Sequence, residues 1–157
     1  MTVRLTGYAS TSAIDDEHCS FAPGSIVVKS MPPLYISHRC DVAPCGTVVS
    51  LKWEGDKLLA VVDVPDELGD KYKAFSIGCK LREYEIIGLG PSAYGLVTRA
   101  IANELSLTNN PANPEALILT RERVVIKKPS WEEEWAEFMK GREQRLKKAL
   151  EEMRRGA

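Results

Sequence analysis

The sequence predicts an α+β protein, mainly antiparallel β, with one long amphipathic helix at its C-terminal end. Three observations carry this. Short runs rich in Val, Leu and Ile recur between turn clusters as far as residue 127. Two of them, residues 46–53 and 58–64, flank Glu54-Gly55-Asp56-Lys57, a connection of hairpin length. From Ser130 onward there is no further Pro, and the apolar residues take up a helical period.

In chain order, residues 3–10 read as a first strand and residues 11–24, rich in Ser, Asp and Gly, as a loop. Residues 25–29 and 34–36 read as short strands around Met31-Pro32-Pro33, the second leading to His38. After the hairpin, residues 65–75 read as a short helix. Pro65 and acidic residues open it, and Leu68, Tyr72 and Phe75 recur at helical spacing. Residues 77–87 and 99–108 read as strands separated by the Gly- and Pro-bearing loop 88–95. Gly88-Leu89-Gly90 lacks the further glycines and the strand-to-helix setting of a phosphate loop. Residues 116–127 read as the last strand, and Pro129 ends the β region.

Ser130-Trp131-Glu132-Glu133 has the form of a capping box, with acidic residues in the first turn and Arg154 and Arg155 at the far end. Trp131, Trp135, Phe138, Leu146, Ala149, Leu150 and Met153 share one face, which Arg142 interrupts. Such a face serves either to dock on the body or to form a coiled-coil-like contact with a second copy or a scaffold partner. The chain therefore divides into residues 1–128, a β domain, and residues 129–157, a helix.

A length of 157 residues suits one domain with a real core plus one further element. Apolar residues at 44% and charged residues at 27% fit an ordered globular chain without a membrane span. With 21 basic and 22 acidic residues the formal net charge is -1, so no basic field favours nucleic acid as a partner. The first residues run straight into strand-like alternation, without the apolar core of a signal peptide, and a cytoplasmic setting is expected. Reduced, mostly buried thiols are the ordinary expectation there for Cys19, Cys40, Cys45 and Cys79. The sharper alternative is a zinc site from His38, Cys40 and Cys45 with Cys79 or His18, at a looser spacing than structural zinc sites use.

Three separated segments carry chemistry: Ile36-Ser37-His38, Phe75-Ser76-Ile77-Gly78, and Glu104-Leu105-Ser106-Leu107 running into Asn110-Pro111-Ala112-Asn113-Pro114. They supply a base, a nucleophile and an orienting carboxylate, the three roles of a serine-protease triad. Of the two histidines, His18 lies in a polar loop beside Asp15, Asp16 and Glu17, which leaves His38 as the base. Glu104 shares a strand face with Ala102 and Ser106. Read one at a time, each has an ordinary explanation: a strand-end histidine, a turn serine, a solvated strand glutamate.

Read in order, these pieces together with Gly7-Tyr8-Ala9-Ser10, Phe21-Ala22-Pro23-Gly24-Ser25, Gly46-Thr47-Val48 and Leu58-Leu59-Ala60-Val61 resemble the prohead (capsid maturation) proteases of tailed bacteriophages of the HK97 type. The resemblance spans about residues 3–126. It implies a fold similar to the herpesvirus assemblins, an antiparallel β-barrel with peripheral helices, and a serine endopeptidase without a cofactor. It puts the catalytic serine on Ser76, the histidine on His38 and the acid on Glu104. In the family the histidine is commonly followed by Asp. Here Arg39 and Cys40 precede Asp41, which makes Asp41 the alternative acid. The backbone N–H groups of Ile77 and Gly78 are candidates for the oxyanion hole, with Arg82 or Arg99 as added charge.

The implied substrates are scaffolding segments, the major capsid protein and the protease itself, inside an immature shell in the host bacterial cytoplasm. Dimerisation or higher self-association would restrict activity to the assembled state. Two readings from other classes stand beside this one: an inactive capsid-assembly or scaffold protein with the protease fold, and a small zinc-binding interaction module.

Overall fold

Along β1 (Thr2–Thr11) every second residue from Val3 to Ala9 is buried, the mark of a strand with one face on a core. The same alternation in β6 (Lys57–Pro65) buries Leu58, Ala60, Val62 and Val64. These strands pair antiparallel, with Arg4 opposite Asp63 and the guanidinium donating twice to that carboxylate at 2.8 Å. β5 (Thr47–Glu54) continues the sheet beyond β6, and β9 (Ile118–Val124) lies on the other side of β1. Gly55, at φ +61°, supplies the left-handed residue of the β5–β6 turn.

The computed structural model describes residues 1–125 and 130–155. Its contacts divide the chain into two units, Met1–Val125 and Ile126–Ala157. In the first unit a second sheet is built on β8 (Tyr94–Thr108). β7 (Ala74–Ile87) runs antiparallel along one edge of β8. Along the other edge β2 (Cys19–Phe21), β3 (Ile26–Val27) and β4 (Leu34–Ile36) pair with it in tandem, all parallel. The core forms between the sheets, from Leu5, Val62 and Val64 on one side and Ile26, Leu34, Phe75, Leu105 and Leu107 on the other. Single bridges, Leu34 with Gly46 and Ala74 with Leu117, link the two sheets at their margins. Neither bridge grows into a ladder, so the sheets do not close into a barrel.

The fold is therefore α+β with largely antiparallel sheets, and it differs from the sequence expectation in identifiable places. Residues 65–75 do not form a helix. Asp66–Leu68 make one 3₁₀ turn, and Ala74, Phe75 and Ser76 already belong to β7, all buried. Burial of Phe75 in the core outweighs the helical spacing of Leu68, Tyr72 and Phe75, since propensity yields to tertiary contact. Besides α1 (Trp131–Arg155), the described residues contain only that turn and a second, Gly90–Ser92, in place of peripheral helices. The loop read over residues 11–24 contains β2, and β8 begins at Tyr94 instead of residue 99. Residues 126–129, with the end of the expected last strand and Pro129, lie outside the described residues.

In the second unit α1 begins as its sequence dictates. The Ser130 N–H donates to Glu133 Oε2 at 2.7 Å, and the Glu133 N–H donates to Ser130 Oγ at 3.2 Å, both halves of a capping box. None of the helix residues is buried, and the Trp135 and Phe138 rings stack at 5.5 Å. Among the described residues no helix is long and apolar enough to cross a membrane.

Candidate active site

β8 is the shared strand that brings the chemistry together. Its register with β7 sets Ser76 opposite Ser106 and Gly78 opposite Glu104, while β4 on the other edge ends two residues before His38. Residues paired across a sheet project from the same face, so Ser76, Ser106 and Glu104 emerge side by side. Leu105, Leu107 and Phe75 project from the opposite face into the core and fix the register.

The turn after β4 aims the imidazole. Ser37 and His38 both have positive φ, +48° and +59°, where non-glycine residues are uncommon and cost about 1–2 kcal/mol each. Three hydrogen bonds hold them there: Ser37 N–H to Leu107 O at 3.0 Å, His38 N–H to Ser106 Oγ at 3.0 Å, and Arg39 N–H to Ile36 O at 3.0 Å. Strain that is held this firmly next to chemistry-bearing groups is a mark of a functional site.

The imidazole sits between the other two groups. His38 Nε2 lies 2.9 Å from Ser76 Oγ, and His38 Nδ1 is in direct contact with Glu104 Oε1. A carboxylate can only accept, so Nδ1 carries the hydrogen and Nε2 is left to accept from the Ser76 hydroxyl. Glu104 Oε2 in turn accepts from Ser106 Oγ at 2.8 Å. The side chain of Glu104 is 10% exposed against 46% for His38, so the carboxylate is sheltered while the base is reachable.

Gly78 is a requirement of this packing. A Cβ built on it would overlap the Glu104 carboxylate, so only glycine lets that side chain lie across β7. The β7–β8 register shifts immediately afterwards, between Gly78 and Cys79, as a bulge beside the site. Cys79 also lines the cleft, but burial, with the Glu104 charge adding to it, pushes its thiol up to about 12. A thiol in that state stays protonated at neutral pH, and it is the Ser76 hydroxyl, not this thiol, that lies against His38 Nε2.

The triad opens on a cleft of about 370 Å³. Ile77, Gly78 and Leu81 form one wall, and Ser10, Phe21 and Asn113 others. Asn113 is pinned to the end of β1, donating to Thr11 Oγ1 at 3.2 Å while its Oδ1 accepts the Glu115 N–H at 3.0 Å. The Asn-Pro segment after β8 thereby becomes a fixed side of the cleft.

The structure thus brings Ser76, His38 and Glu104 together, and Ile77 and Gly78 border the same cleft. Asp41, the alternative acid, is not the partner of His38. It pairs with Arg39 at 2.9 Å, a contact that lowers its pKa, and His38 Nδ1 is taken by Glu104. The zinc alternative gains no support from the same geometry. Both ring nitrogens of His38 are engaged, Cys40 is exposed, and among the described residues no three His, Cys, Asp or Glu side chains gather as a metal set. Ser106 was placed beside Glu104 by the sequence but given no role in the site. Its signal was present, since a hydroxyl two residues from Glu104 shares its strand face. Compared with known proteins, the chain matches no family model and no curated protein.

Proposed function

We propose that this chain is a serine endopeptidase of the prohead-maturation type. The observation that carries the reading is the continuous array from Ser76 Oγ through both nitrogens of His38 to Glu104, beside an open cleft. The ordered segments that resemble the tailed-phage proteases support it. The assemblin-like fold belongs to this reading too, in an open form whose two sheets meet only at the Leu34–Gly46 and Ala74–Leu117 bridges.

In the proposed reaction Ser76 Oγ attacks the scissile carbonyl carbon as His38 Nε2 takes the hydroxyl proton. Glu104 holds the tautomer and balances the imidazolium. The tetrahedral intermediate collapses with cleavage of the C–N bond, and His38 returns the proton to the leaving amine. Water, activated by the same nitrogen, then attacks the acyl ester, frees the carboxylic acid and restores Ser76. N–H groups of β7 near Ile77 and Gly78 are the proposed oxyanion donors. Phe75 N–H points away from β8, donating to Ala116 O, and strand alternation turns the Ile77 N–H the same way, on an edge without a strand neighbour among the described residues.

The proposed substrates are scaffolding segments, the major capsid protein and the chain itself, within the immature shell in the host bacterial cytoplasm. The test is co-assembly of wild type or Ser76→Ala with the capsid and scaffold proteins, followed by mass measurement of the capsid protein. Processing that is present with wild type and absent with the variant is expected. Processing that persists with Ser76→Ala would leave the inactive scaffold reading in its place.

A further inference from the structure

We infer that α1 is a self-association element that pairs with the same helix of a second copy of this chain, antiparallel, about a two-fold axis at Arg142. The helix runs unbroken from Trp131 to Arg155, and its apolar residues are exposed, Trp135 at 56%, Phe138 at 53% and Leu146 at 56%. A stripe this apolar on an otherwise charged helix calls for a partner. Two features within the stripe identify that partner as the helix itself.

The first feature is spacing. Trp131, Trp135 and Phe138 lead to Arg142 by steps of 4, 3 and 4 residues, and Leu146, Ala149 and Met153 follow it by the same steps, 4, 3 and 4. The stripe is therefore symmetric about Arg142, and its 11-residue period keeps it nearly straight along the helix. Antiparallel pairing about that point sets Trp131 opposite Met153, Trp135 opposite Ala149 and Phe138 opposite Leu146 of the second copy. The largest side chain thus meets the smallest, which is what interdigitation needs. The two Arg142 side chains meet at the axis, where their long stems can cover apolar surface while the charged ends reach solvent.

The second feature is charge. Glu132, Glu133, Glu134 and Glu137 fall in the first half of the helix. Only Lys140 offsets them there, whereas Arg145, Lys147, Lys148, Arg154 and Arg155 fall in the second half, offset in part by Glu143, Glu151 and Glu152, so the first half is net acidic and the second net basic. In a parallel pair like charges would lie together. In the antiparallel pair the acidic half of each copy meets the basic half of the other, for example Glu132 with Arg154 and Glu134 with Lys148. An isologous contact of this kind closes as a dimer and leaves no free end. It holds whether or not Ser76 acts on a substrate.

The experiment is sedimentation equilibrium of the full chain over a range of concentrations, with thermal unfolding to show that the β unit is unchanged. Wild type is expected to dimerise, and Phe138→Glu or Leu146→Glu to weaken the dimer about tenfold or more. Replacing Glu132, Glu134 and Glu137 by Lys, or Arg145, Lys148 and Arg154 by Glu, should each abolish pairing, and mixing the two variants should restore it. Orientation is read by disulfide cross-linking in a Cys40→Ser background. Arg142→Cys should cross-link alone, and Trp131→Cys only when mixed with Met153→Cys. A monomer at every concentration, a dimer untouched by the helix variants, or Trp131→Cys cross-linking to itself would each overturn the proposal.

Discussion

In the proposed triad Glu104 orients His38, its own carboxylate being fixed at both oxygens, by His38 Nδ1 and by Ser106 Oγ. A glutamine here can donate as well as accept, and it would stabilise the wrong tautomer. The corresponding change in a Ser-His-Asp triad lowers kcat about 10⁴-fold. Glu104→Gln is accordingly expected to abolish measurable peptide hydrolysis, whereas Asp41→Asn, which touches only Arg39, should leave kcat within about twofold, since an exposed ion pair contributes little. Comparable losses in both variants would contradict the assignment of the acid. On the same proposal Ser106 is a positioning residue, since it bonds both Glu104 and the strained His38 backbone. Ser106→Ala strands a buried carboxylate oxygen and an N–H, and it should cost about 1–3 kcal/mol of stability. Its kcat should fall by about tenfold or more with KM unchanged, because no contact to substrate is lost. A loss of stability with kcat intact would reduce Ser106 to a structural hydroxyl.

At the scale of elements, what was legible in the sequence is what local chemistry determines. The β5–β6 hairpin follows from Glu54-Gly55-Asp56-Lys57 and its apolar flanks, and α1 follows from the Ser130 capping box and the helical stripe. What was not legible depends on distant partners. β2 and β3 are three and two residues long and exist only because β8 offers them an edge. Residues 65–75 carry a helical spacing that the core overrules at Phe75. Ser130→Ala removes one half of the cap and should cost α1 about 1 kcal/mol. Far-UV circular dichroism should register the lost helix while the thermal midpoint of the β unit stays in place. A shift of that midpoint would mean that the cap supports more than the helix.

At the scale of the whole molecule, the candidate site joins residues 38, 76 and 104, which no local signal connects. Each of the three has an ordinary reading alone, and the resemblance to the phage proteases named them as a set. The structure adds the reason they meet: one central strand, β8, holds β4 on one edge and β7 on the other, with Gly78 making room for Glu104. The packing at Gly78 belongs to that meeting and could be read only in three dimensions, whereas strand alternation alone put Ser106 on the Glu104 face. The proposed mechanism requires Ser76 to be an activated nucleophile. It is tested most directly by treating wild type, Ser76→Ala and His38→Ala with a fluorophosphonate at high protein concentration, then measuring intact mass and mapping the peptides. A single adduct on Ser76 is expected in wild type and none in either variant. No adduct under conditions where the chain associates, or an adduct on another serine that survives both substitutions, would contradict it.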